Sequence, residues 1–144
     1  INENKENYFS YYVHNSYKKN IGKIVTLISY KANEDNNEAK LFAKNLCMHI
    51  AASKPLSLNV ENLNKDLIEK EREIQLDLIK SSGKPESIIE KILDGKMNKF
   101  YSESTLLNQN YILDPDLTVE KVINEFSKKN NFEVINYNLV SLVS

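Results

Sequence analysis

The chain has 144 residues, 19 basic and 20 acidic side chains, a formal charge of −1 and 41% hydrophobic residues. That length supports one domain or two small lobes with an ordinary core, and the balanced charge excludes a strongly basic nucleic-acid face or a polybasic membrane patch as a bulk property. A lone cysteine excludes an intrachain disulfide framework and suits a reducing compartment, and no apolar run approaches the roughly 18 residues that span a bilayer.

Residues 8–14 are rich in aromatic and branched side chains and predict a strand. Polar residues 15–20 predict a turn. Residues 22–30, Gly-Lys-Ile-Val-Thr-Leu-Ile-Ser-Tyr, predict a second strand with a well-buried face, so the two form an antiparallel hairpin. Asn33 and Asp35 are candidate caps for a helix over 37–52, where Leu41, Phe42, Leu46, Met48, His49 and Ala52 recur at helical steps. Pro55 prevents its continuation, and residues 56–60 alternate as a short edge strand would.

An amphipathic helix follows over 63–82, with Leu67, Ile68, Ile74, Leu78 and Ile79. Gly83 stands where a C-terminal cap belongs, and Pro85 suits the first turn of a second helix over 86–101. Two amphipathic helices across so short a link predict an antiparallel hairpin whose helices mainly bury each other, a projecting arm. Residues 105–114 read as extended, with a turn at Asp114-Pro115. Thr118 can cap a helix reaching about residue 129 with Val119, Val122, Ile123 and Phe126 inward. Residues 132–143 form a closing strand in which Phe132 and Val134 alternate, then Tyr137 and Leu139. The asparagine clusters at 33–37 and 130–131 suit loops and caps.

Little in the chain points to bond-making chemistry. Cys47 and His49 lie about 200° apart around a regular helix, so they cannot share a metal ion. A Cys47–His14 pair would still lack an orienting third residue and a glycine-rich oxyanion loop, and Cys47 reads as a small buried side chain. Gly22, Gly83 and Gly95 are isolated, so no phosphate-cradling loop is present. Glu69, Glu71 and Glu73 sit among lysines on a solvated helix face. No cofactor or metal is therefore expected. His49, on an otherwise apolar, small-residue helix, keeps two readings. It is either a core histidine with satisfied ring nitrogens or a contact at a protein surface, where Ala51 and Ala52 would let a backbone approach closely.

The order of motifs resembles the C-terminal core of translation elongation factor Ts. The matching residues are Tyr12-Val13-His14, Ile21-Gly22-Lys23-Ile24-Val25 and Met48-His49-Ile50-Ala51-Ala52-Ser53-Lys54-Pro55. They continue through Leu67-Ile68-Glu69-Lys70-Glu71, Ser82-Gly83-Lys84-Pro85, Ile89-Glu90-Lys91-Ile92, Gly95-Lys96-Met97-Asn98-Lys99-Phe100 and Leu106-Leu107-Asn108-Gln109 before Asp114. Each piece alone is weak; their order over nearly the whole chain is specific.

The resemblance implies an α+β fold with small antiparallel three-stranded sheets backed by helices. It divides the chain into a core and dimerisation domain at 1–65 and 102–144 and an inserted antiparallel helical hairpin, a coiled-coil arm, at 66–101. It further implies a factor that binds elongation factor Tu·GDP and promotes GDP release without covalent chemistry. Elongation factor Tu and a second copy of the chain are the implied partners, in the bacterial cytoplasm or an organelle matrix. On the same resemblance His49, with Met48, Ala51 and Ala52, falls at the partner contact, and His49→Ala is expected to weaken binding with little loss of stability. The family's Thr-Asp-Phe-Val segment and N-terminal helical domain have no counterpart in these residues, and Lys19-Asn20 replaces the family's Gly-Arg turn. With Ile1 in place of an initiator methionine, the chain reads as part of a longer protein that alone barely accelerates GDP release. The alternative is a coiled-coil dimerisation module without a GTPase partner.

Overall fold

The computed structural model describes residues 6–15, 23–32 and 37–142. The predicted turn at 16–20, Gly22, the candidate caps Asn33 and Asp35, and Val143 lie outside them. In chain order the elements are β1 (Glu6–Asn15), β2 (Lys23–Ala32), α1 (Asn37–Ser53), α2 (Lys65–Ser81), α3 (Glu86–Ser104), β3 (Asn110–Tyr111), β4 (Asp114–Thr118), α4 (Val119–Asn130) and β5 (Glu133–Leu142). Short 3-10 turns occupy Val60–Asn62 and Leu106–Asn108. The fold is α+β with small antiparallel sheets. Two compact units form, one from Ile1–Lys54 with Asn110–Ser144 and one from Pro55–Gln109.

In the first unit the three-stranded sheet has the order β1-β2-β5, antiparallel throughout. Strict alternation along β2 decides which face is covered. Ile24, Thr26, Ile28, Tyr30 and Ala32 are buried on the side where α1 packs, while Lys23 and Leu27 are exposed. Ala39 and Ala43 are fully buried in α1, small enough to let the helix lie close to the sheet. Phe132 stacks on Tyr30 at 4.9 Å, and Phe42 stacks on Phe126 of α4 at 4.2 Å, so one aromatic cluster ties α1, α4 and the start of β5 to the sheet. Burial of each such ring is worth about 1.5–3 kcal/mol.

The closing strand contains a bulge. Ser29 faces Asn136 but Tyr30 faces Val134, leaving Ile135 as the extra residue. This accounts for the step of three from Val134 to Tyr137 in the apolar pattern. Thr118 caps α4 as predicted, accepting from the Lys121 amide at 3.3 Å, and Asn131, at φ 53°, ends it.

Two predicted segments differ. Residues 56–60 form a single parallel bridge, Ser57 with Thr105, rather than an edge strand. The Asn59 side chain accepts from the Asn62 amide at 2.9 Å and turns the chain into a 3-10 turn, a local bond that competes with strand formation. Residues 105–109 likewise curl, because the Asn108 amide and side chain both return to Thr105. The turn expected at Asp114-Pro115 lies two residues earlier. Tyr111 faces Asp114 across the β3–β4 pair, leaving Ile112 and Leu113 as the loop, while Pro115 lies within β4.

In the second unit α2 and α3 share a core of Ile79, Ile89, Leu93 and Met97, flanked by Ile68, Leu76, Ile92 and Phe100. Asn64 caps α2 by accepting from the Asp66 amide at 2.9 Å. Gly83, at φ 75°, ends it in the left-handed conformation that glycine adopts without steric cost. Pro85 is the residue just before α3 rather than within its first turn.

Candidate functional site

The C-terminal half of α1 sends its side chains to different neighbours. The Cys47 thiol donates to the Ser10 carbonyl of β1 at 3.6 Å. Burial pushes that thiol up to about 11, so it stays protonated at neutral pH and is a poor nucleophile. The side chain of His14, its one conceivable catalytic partner from the sequence, lies outside the described residues. Among the described residues no three His, Cys, Asp or Glu side chains converge as a metal site.

His49 is fully buried. Its Nδ1 accepts a hydrogen bond from the backbone N–H of Ile112 at 3.2 Å, and its ring stacks on Tyr111 with centroids 5.9 Å apart. An accepting Nδ1 needs a free lone pair, which puts the proton of the neutral ring on Nε2. Tyr111 is itself buried, which raises its hydroxyl pKa. The histidine therefore joins α1 to the β3–β4 turn, two segments more than 60 residues apart in sequence. What this bond positions is apolar and uncovered: Ile112 is 37% exposed and Leu113 56%.

Of the other motif residues, Ala51 is buried, Met48 is half-buried and Ala52 is exposed. Ala52 lies one turn beyond His49 and so on the same side of α1. The sequence reading of this site missed the Ile112–Leu113 pair. Its only signal was two large apolar residues directly before Asp114-Pro115, where a polar turn is usual.

A second apolar surface is the sheet face opposite α1. Tyr11 faces Leu27, Val13 faces Val25, and Val25 faces Val140. Phe9 and Tyr11 are each 68% exposed, and Val13, Leu27 and Val140 are also exposed.

The family described as Elongation factor TS matches residues 1–142. The chain belongs to the elongation factor Ts family. Relatives bearing the name Elongation factor Ts include those of Mesorhizobium japonicum, 39% identical over 82% of this chain, and Ruegeria sp., 43% identical over 79%. The Ehrlichia ruminantium protein of the same name is 36% identical over 89%. These alignments cover 39%, 38% and 45% of the relatives' own lengths, so the chain spans about two-fifths of the elongation factor Ts proteins it matches. Among the described residues no helix is long and apolar enough to cross a membrane.

Proposed function

We propose that this chain is the part of a guanine nucleotide exchange factor that docks on elongation factor Tu·GDP in the bacterial cytoplasm. Exchange by such a factor is not an enzymatic conversion: it stabilises the partner conformer that holds GDP weakly, and no bond is made or broken. The observation that carries the reading is the family match over residues 1–142. The apolar turn at Ile112–Leu113, with the exposed Ala52 nearby on α1, supports the place of docking. In this reading His49 and Ala51 act from beneath, His49 by fixing the turn, while Ala52 and the edge of Met48 meet the partner. Residues 66–101 serve as an inserted coiled-coil arm, a reading supported by the core that α2 and α3 share. Residues 1–65 and 102–144 carry the docking and dimerisation surfaces.

Calorimetric titration of the folded chain with elongation factor Tu·GDP tests this. Leu113→Asp is expected to weaken binding by about tenfold or more, because a desolvated apolar anchor becomes a charge. Its melting temperature should stay close to that of the parent, since the residue is exposed. No heat at high micromolar concentrations, or full-strength binding by Leu113→Asp, would sink the reading. The chain alone is expected to speed GDP release only slightly. Self-association is the second reading, favoured by the uncovered sheet face. A dimer in sedimentation that Tyr11→Glu dissolves would support it.

A further inference from the structure

The second unit carries a groove of its own between α2 and α3. Leu78 and Ile79 of α2 and Ile92 of α3 give it an apolar floor, and the exposed Lys84 and Lys96 stand at its rim. Gln75, Leu78, Ile79 and Ser82 follow one face of α2 at steps of three and four, and Ile92 and Lys96 are one turn apart on α3. Gln75 to Ser82 spans about 10 Å along the helix axis. The cavity holds about 280 Å³. That is below the roughly 300–1,000 Å³ of sites that enclose a whole small molecule, and it suits a few protruding side chains of a polypeptide.

α2 is more apolar than one neighbouring helix requires. Ile79 faces the core shared with α3, while Leu67, Ile74 and Leu78, 38%, 54% and 59% exposed, recur as a second stripe. The charge beside that stripe has one sign. No acidic side chain lines the groove, and Glu71, one turn before Gln75, is held by the Gln75 amide at 2.9 Å. Among the described residues neither Lys84 nor Lys96 has an ion pair. A two-fold pairing of the groove with itself would gather four lysines at one seam, where like charges repel. We infer that this groove accepts an amphipathic helix of a partner protein whose apolar stripe is bordered by carboxylates. The helix adds as a third beside α2 and α3, at the usual axial distance of about 8–10 Å. Its large side chains enter between Leu78 and Ile92, and its carboxylates meet Lys84 and Lys96. Apolar burial supplies affinity, and the lysine pair supplies selectivity.

The test uses a capped helical peptide of about 18 residues, long enough to hold a helix, with leucines on one face bordered by glutamates. Its counterpart carries lysine for glutamate, and both are titrated into the whole chain. Binding is read by fluorescence anisotropy and by the methyl NMR signals of Leu78 and Ile92. The glutamate peptide is expected to bind, to shift both methyl signals and to bind less well as salt is raised. Lys84→Glu with Lys96→Glu should weaken it by about tenfold or more and let the lysine peptide bind instead. Both lysines are exposed, so the fold should survive; if it does not, Lys84→Gln with Lys96→Gln should still halve the preference or more. Three outcomes overturn the inference: no binding of the glutamate peptide at about 1 mM, equal binding of the two peptides, or signal shifts confined to residues outside the groove. Shifts of Leu78 and Ile92 with chain concentration alone would also overturn it, by assigning the groove to a second copy. A full-length relative with the same two lysines whose groove ignores the peptide would do so too, by assigning it to the rest of that protein.

Discussion

Helices α1 and α2 are each 17 residues long, and they are held in different ways. α1 buries Ala39, Phe42, Ala43, Leu46, Cys47, His49, Ile50 and Ala51 against a sheet and its covering aromatics. α2 buries only Ile79, and its remaining stability comes from the Asn64 cap, one neighbouring helix and surface pairs such as Gln75 to Glu71 at 2.9 Å. The ends differ as well. α2 finishes on Gly83, whereas α1 finishes on Lys54, a non-glycine residue at φ 46° whose amide returns to the Ile50 carbonyl at 2.8 Å. A helix backed by a sheet can hold an unfavourable terminus and a buried histidine because packing overdetermines it. A helix held by one neighbour needs favourable local chemistry at both ends.

The comparison breaks most visibly in the core. Leu46→Ala should cost about 3 kcal/mol of unfolding free energy, read by chemical denaturation, because it leaves a cavity beneath α1. Leu78→Ala in α2, 59% exposed, should change stability by less than about 0.5 kcal/mol. Equal effects would mean that the two helices are held alike after all.

His49→Ala should fall between them, at about 2 kcal/mol, because it removes a buried ring and leaves the Ile112 amide without its acceptor. On the proposed docking to elongation factor Tu, it should also weaken that binding by loosening the Ile112–Leu113 turn. A variant that loses binding with unchanged stability would instead return His49 to the role of a direct contact.

The smallest effects sharpen the contrast at the helix ends. Lys54→Gly should stabilise by about 1 kcal/mol, because glycine relieves the left-handed strain. Gly83→Ala should destabilise by a similar amount, and for backbone reasons alone, since an added Cβ meets nothing within 4 Å. Opposite signs in thermal melts check both.

Much of the fold was legible because local chemistry agreed with it. The period-two pattern of β2, the apolar spacing of α1, the Gly83 stop and the Thr118 cap each carry their instruction in adjacent residues. The segments around 56–60 and 105–114 were misread because single asparagine and threonine side chains there form local bonds that hydrophobic periodicity does not register.

The sequence by itself determined the α+β class, the four helices and the three long strands of the described residues in their order, and the family. These follow from residues that act on near neighbours or from motifs kept in order. Only the tertiary structure shows where His49 sits and what it bonds to. Helical spacing shows which side of α1 the ring leaves from, but burial and the bond to Ile112 depend on a chain segment more than 60 residues away. The exposure of Leu113 and of Phe9, Tyr11 and Val140 on the sheet was decided the same way. Surface is what remains after distant segments have packed, and no local pattern records which groups are left over.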